Sequence, residues 1–165
     1  MENKKIAVFP GSFDPFTHGH KSIIDRALPL FEEIIIAIGI NAEKKSFFDL
    51  ETRIKWIKKI FADEPKVIIE TFNTLTVDYC RKKNANFILR GLRTAADFEY
   101  ERQIGQMNKH LLEKIETIFL LTLPQHTFIS SSVVREIVKY QSDVSKFVPE
   151  IIAAEIHKSY TIEVK

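Results

Sequence analysis

Short apolar runs alternate along the chain with longer segments in which apolar residues recur every three or four positions. The runs are rich in isoleucine, valine and phenylalanine, and they predict five β-strands, at residues 5–9, 33–40, 66–72, 86–92 and 115–122. The second run, EIIIAIGI, is almost wholly apolar. A strand of this kind buries both of its faces, which is typical of a parallel sheet covered by helices on each side.

The segments between these runs predict helices. In the first of them Ile23, Ile24 and Ala27 share one helical face, and Pro29 should end the helix. Asp49 is a suitable capping residue for the second helix. The six helices are predicted at residues 19–28, 49–61, 74–83, 95–112, 131–140 and 149–159.

This alternation predicts an α/β fold, a Rossmann-like five-stranded parallel sheet with helices on both faces. Because no repeat, linker or low-complexity segment interrupts the chain, residues 1–165 are interpreted as a single domain. We assume the strand order 3-2-1-4-5. In open sheets of this type, ligands bind beyond the carboxyl ends of the strands where the order reverses, here between the first and fourth strands.

Composition narrows the possible classes of protein. The chain has 165 residues and a net charge of +2, which is too balanced to predict nucleic-acid binding. No apolar stretch approaches the roughly 20 residues of a membrane-spanning helix, and the start MENKKIAVFPG lacks the apolar core of a secretory signal. Cys80 is the only cysteine, so no internal disulfide is possible. We therefore expect a cytoplasmic protein that binds neither nucleic acid nor a membrane.

The loops after four predicted strands carry most of the candidate chemistry. They read GSFDPFTHGH, NAEKK, RGLR and PQHTFISSS after the first, second, fourth and fifth strands. Three of them supply cations or potential cations, and the last supplies hydroxyl groups at the start of a helix. Because all four loops should meet at one edge of the sheet, their clustering predicts a polyphosphate ligand.

His18, Gly19 and His20 stand where the first strand gives way to a helix, and three interpretations of them are open. No cysteine or carboxylate cluster completes a metal site around the two histidines. They also suit a purely structural role. Alternatively, the free N–H groups of the helix start, a glycine that permits close approach and an imidazole donor together suit a phosphate. The loop has neither of the glycine-rich fingerprints of dinucleotide or P-loop sites.

Three motifs in this order carry a family resemblance: PGSFDPFTHGH, LRGLRTAADFEYERQIGQMN and TFISSSVVREI. The superfamily pattern TxGH or HxGH, present here as THGH at residues 17–20, and the ISSS pattern at residues 129–135 resemble the nucleotidyltransferase superfamily. All three motifs together resemble the bacterial phosphopantetheine adenylyltransferases over nearly the whole chain. HxGH alone is a weak signal, whereas RGLR followed by DFEYE and then ISSS narrows the resemblance to this family.

The resemblance implies an enzyme that transfers AMP from ATP to 4′-phosphopantetheine, giving dephospho-coenzyme A and pyrophosphate. It also implies Mg²⁺ bound with ATP and a homohexamer. Since the acceptor is already an oxyanion, we expect direct in-line displacement without a protein nucleophile. Two alternatives stay open: a nucleotidyltransferase with another phosphate acceptor, and a nucleotide-binding sensor that has lost catalysis.

The resemblance also assigns roles to residues of this sequence. The catalytic residues it implies are His20, Lys44 and Arg93. The substrate-binding residues are Ser12, Lys44, Thr76 and Arg90. The ATP-binding residues are Ser12, Phe13, His20, Gly91, Leu92, Arg93, Glu101, His126, Thr127, Phe128, Ile129, Ser130, Ser131 and Ser132. No residue of the chain is assigned to the metal.

Some of these positions depart from the family or have a plainer interpretation. The family usually has threonine at Ser12 and often an apolar residue at Thr76, and some relatives have tryptophan at His126. Taken alone, Lys44 also suits a solvated loop, and Asp97 suits a role in the fold or in a subunit contact. Phe47, Phe48, Trp56 and Phe61 are interpreted as core or helix-packing residues.

Overall fold

A computed structural model of the chain describes residues 4–41 and 45–162. It contains one sheet of five parallel strands in the order β3-β2-β1-β4-β5. Both the predicted fold class and the assumed strand order are therefore confirmed. The strands are β1 (Ile6–Gly11), β2 (Glu33–Gly39), β3 (Val67–Phe72), β4 (Phe87–Leu92) and β5 (Glu116–Leu121).

Within residues 4–41 and 45–162, six α-helices connect or follow the strands, as predicted. Several begin at a residue whose side chain accepts a hydrogen bond from a main-chain N–H of the first turn; Asp49 accepts one from Thr52 at 2.7 Å, and Ser130 one from Val133 at 3.2 Å. The helices are α1 (His18–Ala27), α2 (Leu50–Ile60), α3 (Thr76–Lys82), α4 (Ala95–Leu111), α5 (Ser131–Lys139) and α6 (Glu150–Ile162).

The sheet separates two apolar clusters, one on each face. Along β2, Ile34 and Ile36 belong to the larger cluster, while Ile35 and Ala37 belong to the smaller one. This alternation explains why the strand is apolar throughout, because successive side chains point to opposite faces. None of the helices within the described residues is both long enough and apolar enough to cross a membrane.

The aromatic cluster predicted around α2 is only partly a core feature. Trp56 and Phe61 are buried, and Phe48 packs against the larger cluster. Phe47, however, is 41% exposed and lines a cavity, which excludes the core alternative of the core or helix-packing interpretation. Its ring packs on Phe48 at 4.9 Å between centroids. These two adjacent phenylalanines cannot be distinguished by pattern, because the loop that carries them is not periodic.

Candidate active site

A cavity of about 900 Å³ opens at the carboxyl ends of the strands, where β1 lies between β2 and β4. The loops after β1, β2, β4 and β5 all contribute to its wall, as the sequence predicted. The candidate residues that line it are Ser12, Phe13, His20, Arg90, Gly91, Arg93, Glu101, Ile129, Ser130, Ser131 and Ser132.

The loop after β1 is fixed from several sides. The carboxylate of Asp14 accepts hydrogen bonds from the main-chain N–H groups of Phe47 and Phe48, at 2.7 and 2.8 Å. The carbonyl of Asp14 accepts one from Arg135 at 2.6 Å, and Ser131 donates to the carbonyl of Pro15 at 2.8 Å. The loop after β2 and the helix that begins at Ser131 therefore hold the first loop in one conformation.

His20 is held in a single orientation in the first turn of α1. Its Nδ1 accepts a hydrogen bond from the main-chain N–H of Thr17 at 3.0 Å and lies 3.1 Å from the Thr17 hydroxyl. Because Nδ1 is an acceptor, the neutral ring carries its proton on Nε2. The ring packs against Phe13 and Phe16, with centroids 5.1 and 5.3 Å away, and His20 also lines the cavity.

The surroundings of His20 favour the neutral imidazole. The pKa of His20 is lowered from 6.5 to about 3, chiefly by burial and also by the positive charges of Arg90 and Arg93. Near neutral pH the ring is therefore an uncharged N–H donor rather than a general acid with a titrating proton.

The packing around Gly19 would tolerate a Cβ atom at the helix start. A Cβ atom built at this position would lie 3.5 Å from the Thr17 hydroxyl oxygen and 4.0 Å from the Cβ of His126, which are ordinary contacts. The packing of the protein itself therefore does not require glycine here. The bare backbone faces the cavity at the positive end of a ten-residue helix, an arrangement that suits an anion.

Two arginines of the RGLR segment are each held by a carboxylate. The Nε of Arg90 donates to Glu101 at 2.8 Å, and its Nη1 donates to the carbonyl of Pro10 at 2.6 Å. The Nε of Arg93 donates to Asp97 at 3.1 Å. Asp97 was interpreted from sequence as a fold or subunit-contact residue, and the structure places its carboxylate on an arginine of the cavity wall.

A smaller cavity of about 280 Å³ adjoins the first. Pro10, Gly11, Gly39, Arg90 and Glu101 line both cavities. The smaller one is otherwise mainly apolar and extends towards α3 and α4, where it is lined by Phe72, Thr76, Ile88, Ile104, Gly105, Asn108 and Thr117. Thr76 thus lies beside this second cavity and not in the wall of the first.

The other candidate residues are not all brought to the cavity. The side chain of Leu92 is buried. The ring of His126 stacks on that of His18 at 6.1 Å between centroids, and burial lowers the pKa of His18. Thr127 and Phe128 follow, with Phe128 exposed and packed edge-on against Phe147. Lys44 lies outside the described residues.

Several cavity residues were not identified from sequence. Arg53 and Arg135 line the cavity, and their side chains donate to carbonyls of the loop after β1. Lys45 lines the cavity as well. In a helical pattern, an arginine among apolar residues is normally interpreted as a solvated side chain. The pattern alone therefore does not identify Arg53 as a cavity residue.

Among the described residues, three carboxylates line the cavity, and each is already engaged by donors of the protein. Asp14 holds two main-chain N–H groups, Asp97 holds Arg93 and Glu101 holds Arg90. Within the described ranges, no three histidine, cysteine or acidic side chains gather as a metal site would require. These residues do not fit a metal held by the protein alone.

Comparisons with known proteins agree with this geometry. The family model described as cytidylyltransferase-like matches residues 8–137. The chain is 56% identical over 146 residues to a phosphopantetheine adenylyltransferase of Flavobacterium psychrophilum, covering 88% of this chain and 96% of that protein. It is 50% identical over 159 residues to the phosphopantetheine adenylyltransferase of Leptospira biflexa, covering 96% and 99% of the two chains.

Solved structures support the fold. A putative nicotinate-nucleotide adenylyltransferase from Vibrio parahaemolyticus superposes with a TM-score of 0.69 at 19% identity, over 93% of this chain and 98% of that one. The nicotinic acid mononucleotide adenylyltransferase of Plasmodium falciparum, complexed with NaAD, gives a TM-score of 0.68 at 19% identity, over 96% and 97% of the two chains. At this identity the likeness concerns the fold alone.

Proposed function

The chain belongs to the cytidylyltransferase-like family and, within it, to the phosphopantetheine adenylyltransferases, and from this premise we propose its reaction and the roles of its residues. As a member of this family it is an enzyme of coenzyme A biosynthesis that transfers AMP from ATP to 4′-phosphopantetheine. The observation that carries this conclusion is the 56% identity over 96% of a phosphopantetheine adenylyltransferase. We treat residues 1–165 as one catalytic domain.

The acceptor is assigned to the smaller cavity and its junction with the larger one. Phosphopantetheine has a long arm of low charge that ends in a phosphate. The mainly apolar smaller cavity beside Thr76 suits the arm, and Arg90 stands at the junction where the phosphate would lie. Glu101 and the Pro10 carbonyl take three N–H groups of Arg90, so the guanidinium is fixed in place with donors left for phosphate. We place Lys44 beside the same phosphate.

ATP is assigned to the larger cavity. Ser12, Phe13, Gly91 and Glu101 are proposed along its base, and the segment from His126 to Phe128 is proposed beside the adenine. Arg93 and the serines at the start of α5 would receive the β- and γ-phosphates, because free N–H groups and hydroxyls meet at that helix terminus. The serines concerned are Ser130, Ser131 and Ser132, following Ile129.

The chemistry requires positioning and neutralisation of charge more than activation of a nucleophile. The phosphate of the acceptor is itself an oxyanion, so it attacks the α-phosphorus directly as pyrophosphate departs on the opposite side. His20 donates from Nε2 to an oxygen of the α-phosphate as charge gathers there in the transition state. Lys44 holds the acceptor phosphate, and Arg93 holds the departing pyrophosphate.

Mg²⁺ is proposed to arrive with ATP and to keep water and phosphate oxygens as its ligands. Bound in this way, it would offset the negative charge of the phosphates. The engaged carboxylates of Asp14, Asp97 and Glu101 are not assigned to it.

The partner most consistent with the exposed surface is a second copy of the chain. Tyr100 and Met107 on α4 are 66% and 65% exposed, and Leu121 at the end of β5 is 70% exposed. Ile104 and Leu111 lie on the same helical face and extend it. A patch of this kind supports self-association, and we propose the homohexamer of the family. Light scattering coupled to size exclusion gives the mass in solution; a monomer would contradict the proposal.

The reaction is tested by incubating the purified chain with ATP, Mg²⁺ and 4′-phosphopantetheine and following pyrophosphate and dephospho-coenzyme A. Both products should form in equal amounts. Parallel reactions contain nicotinate mononucleotide or glycerol phosphate as acceptor. Turnover with one of these and none with phosphopantetheine would identify a different nucleotidyltransferase. ATP binding without turnover of any acceptor would favour the non-catalytic sensor.

A further inference from the structure

Within the described residues, the larger cavity is lined by four arginines that differ in how their charge is balanced: Arg53, Arg90, Arg93 and Arg135. Arg90 is paired with Glu101 and Arg93 with Asp97. Arg53 is only 6% exposed, yet within the part of the chain that the structure describes it forms no ion pair with a carboxylate. A buried charge without a counter-charge is costly, and it persists where a neighbouring group or a ligand compensates for it.

The contacts of Arg53 are with main-chain carbonyls. It lies in the first turns of α2, and its Nη1 donates to the carbonyl of Ser12 at 2.6 Å. Its Nε donates to the carbonyl of Asp49, the capping residue of the same helix, at 3.4 Å. Arg53 therefore connects the start of α2 to the loop that carries Ser12.

The Ser12–Phe13 peptide is the part of the loop that needs such support. Phe13 has a φ of 48°, a left-handed conformation that a bulky residue rarely adopts unless its surroundings hold it there. A planar trans peptide points the N–H of Phe13 away from the Ser12 carbonyl and hence away from Arg53. No acceptor for this N–H is found among residues 4–41 and 45–162. It is thus available to a ligand in the cavity that Ser12 and Phe13 line.

The guanidinium of Arg53 also retains donors and charge. Of its five N–H groups, two donate to the carbonyls of Ser12 and Asp49, and the side chain lines the cavity. Arg135, on α5, donates to the carbonyl of Asp14 in the same loop. The loop is thus held by two arginines, of which Arg53 is the more deeply buried.

We propose that Arg53 is a positioning residue for the transfer reaction. It holds the Ser12–Phe13 peptide so that the Ser12 hydroxyl and the Phe13 N–H meet phosphate oxygens of the reacting groups, and its unpaired charge offsets theirs. This inference rests on the proposed function. Arg53 acts through the loop, so removal of its side chain should impair turnover more than it impairs binding of ATP.

The test compares Arg53→Met, Arg53→Lys and the control Arg26→Met. Arg26 also donates to a main-chain carbonyl, that of Leu121 at 2.6 Å, but it is exposed and outside the cavity. Arg53→Met removes charge and donors while keeping much of the apolar stem. We expect its kcat to fall about 100-fold, as when one preorganised donor to a transition state is lost. The Kd of Arg53→Met for ATP, measured by calorimetry, should rise less than tenfold. The control Arg26→Met should keep the wild-type kcat.

Arg53→Lys keeps the charge but cannot reach both carbonyls, so its kcat should fall about tenfold. A melting curve is recorded for each protein. Wild-type kcat in folded Arg53→Met, or an equal loss in Arg26→Met, would overturn the proposal. If Arg53→Met does not fold, wild-type kcat in Arg53→Lys would overturn it. Failure of the proposed function would instead be seen in the wild-type chain, as absence of turnover with phosphopantetheine.

Discussion

The unusual state of His20 predicts a specific dependence of stability on pH. The native pKa of His20 is lowered from 6.5 to about 3, chiefly by burial. Between these two values the unfolded chain binds a proton at this ring and the native protein does not, so stability falls as the pH drops through that window. At pH 5 the solution is about 1.5 pH units below 6.5, the pKa of the histidine in the unfolded chain. At about 1.4 kcal/mol per unit, His20 alone should reduce the free energy of unfolding by about 2 kcal/mol relative to pH 7.5.

The measurement is urea unfolding of the wild-type chain and of His20→Asn at pH 7.5 and pH 5, at one protein concentration. The variant lacks the titrating ring, so its free energy of unfolding should fall between the two pH values by about 2 kcal/mol less than that of the wild type. His18 is present in both proteins, and its contribution cancels in the comparison. An equal pH-dependent loss in the two proteins would show that the native ring titrates normally and would refute the reasoning.

Three further predictions concern the site and the fold. In His20→Ala the kcat should fall by about 10²–10³ while the affinity for ATP is largely retained. In His18→Asn the loss of kcat, measured in the same steady-state assay, should be small. Comparable losses in the two variants would show that the donor role is wrongly assigned. Arg90→Ala should raise the KM for phosphopantetheine and leave that for ATP little changed, and the reverse pattern would exchange the two half-sites. Glu155 accepts hydrogen bonds from Trp56 and Lys59 at 2.8 and 2.7 Å, and these lower its pKa to about 2. This stabilisation is present above pH 4.5 and is lost as the pH falls towards 2. Glu155→Gln should therefore lower the free energy of unfolding at pH 7 by about 1–2 kcal/mol, after allowance for solvent screening, and by less at pH 3. An equal effect at the two pH values would refute this prediction.

The sequence predicted the fold well because the fold depends on patterns that the sequence displays directly. The alternating burial of Ile34, Ile35 and Ile36 explains the apolar run of β2, and Asp49 caps α2 as its residue type suggested. The loops predicted to meet at one sheet edge do meet there, since parallel strands place all their carboxyl ends together.

The site was predicted less completely, because contacts between distant loops leave no periodic signal. The carboxylate of Asp14 binds two N–H groups more than thirty residues away, and Arg53 reaches Ser12 across a similar separation. Asp97 was not linked to Arg93, although both belong to one motif. The proposed role of Lys44 stays a prediction, as do the roles carried over to Thr76 and His126.

The central claim is that the acceptor phosphate attacks the α-phosphorus of ATP directly, while residues of the cavity only position and neutralise. The most direct test uses ATP made chiral at the α-phosphorus with sulfur and determines the configuration of the dephospho-coenzyme A product. A single displacement predicts inversion. Net retention, or AMP left covalently on the denatured chain in the absence of acceptor, would contradict the account and would require a protein nucleophile.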